Sequence, residues 1–207
     1  MLSGTIHPQE DVQGNFTHML MQYGQFLDHD ISLSPVNRLN RAGINCCPRP
    51  THPECFPIEV FPNDIVFGRE NKRCLNFVRS TSCLTCRFGP RLQLNKLTSF
   101  IDASNIYGNT LEETRNLRMF NRGMLMFDTD RRENMILPQS NDVINDQCSE
   151  PLKRSICFRA GDNTRVNQHP GLLALHTIWL RQHNRIAIML GELNPNWNDE
   201  RIFQETR

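Results

Sequence analysis

Six of the eight cysteines fall between Cys46 and Cys86, in a stretch crowded with proline. The run from Cys46 reads Cys-Cys-Pro-Arg-Pro-Thr-His-Pro-Glu-Cys-Phe-Pro. Proline lacks an amide donor and fixes φ, so such a run cannot serve as a helix interior or a central strand. An even number of closely spaced cysteines in a loop reads as a disulfide framework of the kind found in oxidising compartments. One of Cys46 and Cys47 is expected to pair with Cys55 and the other with Cys74. Cys148 and Cys157 should close a small loop, and Cys83 and Cys86 should pair locally or with a partner chain. The competing use of Cys83-Leu-Thr-Cys86 is zinc, but no second ligand pair stands at a suitable spacing. No βαβ setting for a redox Cys-x-x-Cys is evident.

The remaining bulk properties mainly exclude. A chain of 207 residues can bury a real core. Lys and Arg (23) nearly balance Asp and Glu (22), so neither a nucleic-acid-binding stripe nor an acidic tail is present. No apolar run approaches a membrane-spanning length. The first ten residues have neither a basic start nor an apolar core, so they do not read as a signal peptide. A secreted-type cysteine content without a secretion signal predicts a missing N-terminal segment.

Helical periodicity dominates outside the cysteine-rich stretch. Residues 15 to 31 are expected to form a helix capped by Asn15, with Phe16, Met19, Leu20, Tyr23, Phe26 and Leu27 on its apolar face. Asn15-Phe-Thr17 is also the single glycosylation sequon, and capping is the preferred use of that asparagine. Residues 32 to 90 read as loop, and 110 to 121 as a second helix. Met124–Phe127 and Met135–Leu137 are expected to pair as a short hairpin. Residues 170 to 193 give the clearest helix, opened by Pro170. Asp199 and Glu200 open a last one. His176 and His183 share a face of the long helix and read as hydrogen-bonded core histidines rather than metal ligands.

Two segments carry chemistry. Gln25, Asp28 and His29 share one helical face, with Asp30 pointing elsewhere. Taken alone, that is a solvated helix end. Read for chemistry, it offers an acid–base imidazole beside a bound cofactor. In the second segment, 97 to 107, oxygen donors recur at Thr98, Phe100 (through its carbonyl), Asp102 and Ser104. An extended turn of this kind can wrap oxygens around Ca²⁺, with Asp30 adding a carboxylate from outside. A half-buried strand is the alternative reading of the same pattern.

Five motifs together resemble the animal haem peroxidase family, the superfamily of myeloperoxidase, thyroid peroxidase and peroxidasin, and within it the invertebrate peroxinectin-like members. They are Met21-Gln-Tyr-Gly-Gln-Phe-Leu-Asp-His-Asp30, Leu97-Thr-Ser-Phe-Ile-Asp-Ala-Ser-Asn-Ile-Tyr-Gly108, Ala160-Gly-Asp-Asn-Thr-Arg165, Leu175-His-Thr-Ile-Trp-Leu-Arg-Gln-His-Asn-Arg-Ile-Ala187 and Leu193-Asn-Pro-Asn-Trp-Asn-Asp-Glu-Arg201. They stand in family order along nearly the whole chain. The resemblance implies a mainly α-helical fold with long disulfide-tied loops and minimal β structure. It also implies that 1–207 is a partial peroxidase domain, the distal half without the proximal half.

What the resemblance implies for function is specific. His29 matches the distal histidine that exchanges protons with H₂O₂, Arg165 the arginine that polarises the O–O bond, and Gln25 the glutamine that orders water, peroxide or halide. Asp28 matches the carboxylate that can form an ester to a haem methyl. Asp30, Thr98, Phe100, Asp102 and Ser104 match a Ca²⁺ site. Gln168 stands where many members carry a second ester-forming glutamate, and His169 follows it. The expectation is therefore a haem b derivative with at most one ester link, through Asp28. Such an enzyme would oxidise bromide, iodide, thiocyanate or phenols rather than chloride. It would be secreted, with no membrane span and no nucleic-acid partner, and Cys83 or Cys86 could join two subunits in a disulfide-linked dimer. The family's proximal histidine lies beyond Arg207, so the piece by itself is expected to be inactive. The alternative is a non-catalytic, peroxidase-like adhesion or matrix protein.

Overall fold

The computed structural model describes residues 13–39, 42–64, 66–84, 88–140 and 156–207. The chain forms two compact units. One combines Met1–Ile31 with Phe100–Arg207, and the other is Ser32–Ser99. The architecture is mainly α-helical with very little sheet and disulfide-tied loops, as the sequence implies. Among the described residues no helix is long and apolar enough to cross a membrane.

The larger unit contains α1 (His18–Ile31), and later α2 (Ser104–Tyr107), α3 (Leu111–Leu117), α4 (Pro170–Leu193) and α5 (Asp199–Thr206). Helix α4 is its backbone. Pro170 suits the first turn, where its missing N–H costs nothing, and Nδ1 of His169 caps the helix by accepting from the Gly171 N–H at 3.0 Å. Leu172, Leu175, His176, Leu180, His183, Asn184 and Ala187 form its buried stripe. Leu172, Leu175 and Leu180 of this stripe meet Phe26 of α1, Ile106 and Tyr107 of α2, Leu117 of α3, and Phe203 of α5 in one apolar core. Burying a Leu or Phe side chain such as Leu172 or Phe203 stabilises by roughly 1.5–3 kcal/mol each.

Polar side chains pin the connections to α4. Asn184 accepts from the Leu125 N–H (2.8 Å) and donates to the Leu125 carbonyl (3.1 Å). His183 lies between Tyr107 Oη and the Gly123 carbonyl, each at 2.9 Å. Gly123 has φ +67°, and a Cβ there would come within 2.6 Å of Ile202 and Phe203, so only glycine fits. The buried Arg118 guanidinium stacks 4.1 Å over Phe203 and pairs with Asp199 and Glu200, fastening α5.

Three expectations change at this level. Helix α1 starts at His18, so Asn15 lies outside it, in a bend, and does not cap it. Its buried residues are Gln22, Phe26, His29 and Asp30, while Phe16, Met19, Leu20 and Tyr23 are exposed. The polar face turns inward, where neighbours bond the Asp30 carboxylate and the Phe26 and His29 carbonyls. Helix α3 carries a full capping box, Thr110 with Glu113, but stops at Leu117. Arg118 is extended and bridges to Leu125 instead, which uses the residues expected to continue the helix. The hairpin forms between β5 (Asp128–Thr129) and β6 (Met135–Ile136) in antiparallel register, so its first strand lies beyond Met124–Phe127. Leu125 is committed to Arg118 and Asn184, which shifts the pairing onward.

The smaller unit is built on β1 (Arg38–Leu39), β2 (Ala42–Gly43), β3 (Ile58–Glu59) and β4 (Cys74–Leu75), paired antiparallel as β1–β2 and β3–β4. The disulfides are Cys46–Cys55 and Cys47–Cys74, one of the two arrangements expected. Asn76 receives the Cys46 N–H (2.6 Å) and donates to the Ile44 carbonyl (2.9 Å), holding the buried Cys46 in place. Cys83 is a free thiol, so the local pairing with Cys86 is not made. Cys86 and Cys148 lie outside the described residues, and Cys157 is disulfide-bonded.

Candidate active site

The site is assembled where the C-terminal turn of α1 meets the loop that precedes α4. His29 is 5% exposed and Arg165 9%. Arg165 Nη2 donates to the His29 backbone carbonyl at 2.9 Å, one of the carbonyls that a helix end leaves without an intrahelical donor. Its Nε donates to Asp162 Oδ2 at 2.7 Å. The same carboxylate oxygen lies 3.5 Å from His29 Nδ1, a nitrogen with no closer hydrogen-bond partner. The imidazole and guanidinium are therefore held on either side of one buried carboxylate.

The electrostatics follow from that packing. Burial first, and the Arg165 charge second, press the His29 pKa down to about 4, against a smaller upward pull from Asp28. His29 is therefore neutral near pH 7 and free to accept a proton. Burial pushes the Asp162 carboxyl up, and Arg165 and Thr164 pull it back. His176 packs edge-on against Phe26, and burial holds its pKa at about 3. Both its ring nitrogens lack hydrogen-bond partners, so it is a core histidine but not the hydrogen-bonded one expected.

Helix α2 acts as the keystone of this arrangement. Asp30 accepts from Ser104 Oγ (2.9 Å) and from the Ala103 N–H (2.9 Å). Asn105 Nδ2 donates to the Phe26 carbonyl (2.9 Å), and the Asn105 carbonyl accepts from the Asp162 N–H (2.8 Å). One short turn thus grips both α1 and the loop carrying Asp162 and Arg165. Gly161 lets that loop approach: a Cβ there would fall 2.6 Å from Gly108 N and Ile106 C.

The other residues expected at the site are placed as follows. Gln25 is half-buried, and its Oε1 accepts from Gln22 Nε2 at 3.0 Å. Gln22 is buried in turn against Gly171. Asp28 and Gln168 are exposed. Asp102 Oδ1 accepts from the Ser104 N–H at 3.1 Å, so oxygens of Asp30, Asp102 and Ser104 converge on one turn. Phe100 is exposed at the start of this segment, and Thr98 belongs to the smaller unit. Among the described residues no group of three or more His, Cys, Asp or Glu side chains comes together as a metal cluster. The larger unit has a cavity of about 20 Å³ beside His176 and one of about 380 Å³ lined in part by Tyr23, Trp179 and Arg207. Neither is lined by His29 or Arg165.

Asp162, Asn105 and Gln22 were not assigned roles from sequence. Asp162 had a signal, an i,i+3 acid–base spacing to Arg165 next to a glycine. Gln22 and Asn105 had none beyond lying in the quoted motifs.

A buried imidazole and guanidinium on a helical scaffold define a site suited to proton exchange beside a polarising cation. The chain matches the family model "Animal haem peroxidase" over residues 1–207 and belongs to that family. It is 41% identical to the peroxidasin homolog of Homo sapiens over 98% of its length, and 39% identical to the chorion peroxidase of Aedes aegypti over 91%. Peroxidase A from Dictyostelium discoideum is a solved structural relative, with TM-score 0.73 and 28% identity over 99% of this chain. The chain spans only 14%, 25% and 40% of those three proteins.

Proposed function

We propose that the full-length protein is a haem peroxidase that reduces H₂O₂ and oxidises a halide, thiocyanate or a phenolic donor. The observation that carries this reading is the pairing of neutral, buried His29 with Arg165 across Asp162. His29 takes a proton from one peroxide oxygen and returns it to the other as that oxygen leaves. Arg165 supplies a fixed positive charge where negative charge develops on the departing oxygen. Gln25, oriented by Gln22, orders water, peroxide or halide.

The residues fit one face of a haem. The exposed carboxylate of Asp28 can form an ester to it, and Gln25 stands one helical turn before the buried His29 on α1. Haem, when bound, supplies the redox equivalents that no side chain here provides. Gln168 carries an amide where an ester needs a carboxylate, so at most one ester link forms, through Asp28. Two modified haem methyls in peptide mass spectrometry would contradict this. Absence of a second link favours donors easier to oxidise than chloride.

The oxygens of Asp30, Asp102 and Ser104, which meet on one turn, support a Ca²⁺ site there; the family resemblance adds Thr98 and Phe100 to its ligands. The 2.9 Å separation of Asp30 Oδ1 and Ser104 Oγ is compatible with two ligands at ~2.3–2.6 Å from one ion. Calcium there would lock the turn that grips α1 and Asp162. A calcium-loaded protein whose melting temperature is unmoved by chelator would contradict it. The free Cys83 thiol supports a disulfide-linked dimer, which non-reducing electrophoresis of wild type and C83S tests. The disulfides of the smaller unit support secretion, tested by recovery of the protein from culture medium.

Gln168 also supports a second reading, a non-catalytic adhesion or matrix protein on the same scaffold. Full-length protein with a Soret band and H₂O₂-dependent guaiacol oxidation establishes the enzyme. A Soret-silent, inactive protein establishes the scaffold reading.

A further inference from the structure

We propose that Asp162 is a positioning carboxylate for the peroxide reaction, fixing Arg165 and the Nδ1 side of His29. This rests on the peroxidase reading above.

The geometry is unusually constrained for a side chain outside the recognised site residues. Asp162 is 6% exposed, and each oxygen has a defined task. Oδ1 accepts from Thr164 Oγ1 at 3.1 Å, and Oδ2 accepts from Arg165 Nε at 2.7 Å while facing His29 Nδ1 at 3.5 Å. Its backbone is fixed too, since its N–H donates to the Asn105 carbonyl and its own carbonyl receives the Arg165 and Val166 amides. Gly161 seats this backbone against α2 with no room for a Cβ.

The chemical need is specific. A buried guanidinium without a counter-ion is strongly unfavourable. Asp162 pairs with Arg165 and faces His29 with the same oxygen, so one carboxylate sets the position of both groups. An acceptor on the Nδ1 side also selects the tautomer that leaves Nε2 free to exchange protons with substrate.

The test uses the full-length holoprotein with D162N, which keeps shape and removes charge, and D162A as a second variant. Three quantities are measured: haem content from the Soret band, the rate of reaction with H₂O₂, and the association rate of cyanide. Cyanide is a non-turnover probe, because hydrogen cyanide must give up its proton as it binds. A fourth measurement is the oxidation of guaiacol by enzyme already oxidised with peroxide. The expected result is normal haem content, at least a tenfold fall in both the peroxide and cyanide rates, and a guaiacol step within twofold of wild type. Peroxide and cyanide rates within twofold of wild type in D162N would overturn the proposal. An equal fall in all steps would also overturn it, because it marks Asp162 as merely structural. Wild-type protein without a Soret band defeats the peroxidase reading itself, which is a separate outcome.

Discussion

Among the described residues, His176 is the buried side chain with most unpartnered polar atoms, both of its ring nitrogens. It is 1% exposed, has no hydrogen-bond partner at either nitrogen, and has a pKa near 3 through burial. The unfolded chain protonates this histidine near pH 6.5, whereas the folded one resists down to about 3. Stability from this group is therefore complete above about pH 6.5 and is lost as pH falls towards 3. His29 contributes in the same direction between about 6.5 and 4. H176F should keep the packing against Phe26, with the 20 Å³ cavity taking up the change of shape. It should flatten the loss of stability between pH 6.5 and 4 by up to about 1.4 kcal/mol per pH unit, the value for one proton. Denaturant titrations across that range measure it, and an unchanged slope would show that His176 is not the acid-sensitive group.

At the scale of elements, α2 ties α1 to the loop before α4. Substituting G161A drives a Cβ into the backbone of Ile106 and Gly108, which cannot swing aside as a side chain could. It should cost about 1–3 kcal/mol and also slow the peroxide reaction, because Asp162 and Arg165 ride on that loop. T110A removes the α3 cap and should cost about 1 kcal/mol with no change in the peroxide rate. Chemical denaturation and stopped-flow rates on the two variants separate the effects; equal peroxide rates in both would refute the coupling. The same elements show where sequence reasoning succeeded and failed. The apolar stripe of α4 was legible because its burial follows its periodicity, and the start of α5 because Asp199 and Glu200 mark its first turn. The inward face of α1 was misread because its buried groups are polar. Their partners are Ser104 and Asn105 for the segment around Asp30 and Phe26, and Arg165 for the His29 carbonyl. Those partners are distant in sequence, and no local pattern announces them. His29 and Arg165 were found through motif resemblance, whereas Asp162 emerged only when distances were known.

For the molecule as a whole, two kinds of cohesion serve the two units. The larger relies on a helical core, and the smaller on Cys46–Cys55 and Cys47–Cys74 around two-residue strands. Removing Cys47–Cys74, which spans 27 residues, with C47S/C74S should cost roughly 3–4 kcal/mol on the loop-entropy account. Proteolytic cleavage within 32–99 should accelerate accordingly, and an unchanged digestion rate would place the stability of that unit elsewhere. The most direct test of the whole account is the H₂O₂ reaction rate of full-length wild type and H29Q by stopped-flow absorbance at equal haem content. Glutamine cannot shuttle the proton, so H29Q should retain its Soret band and react about 10²–10⁴-fold more slowly. A rate within twofold of wild type would remove His29 from the chemistry and with it the central claim.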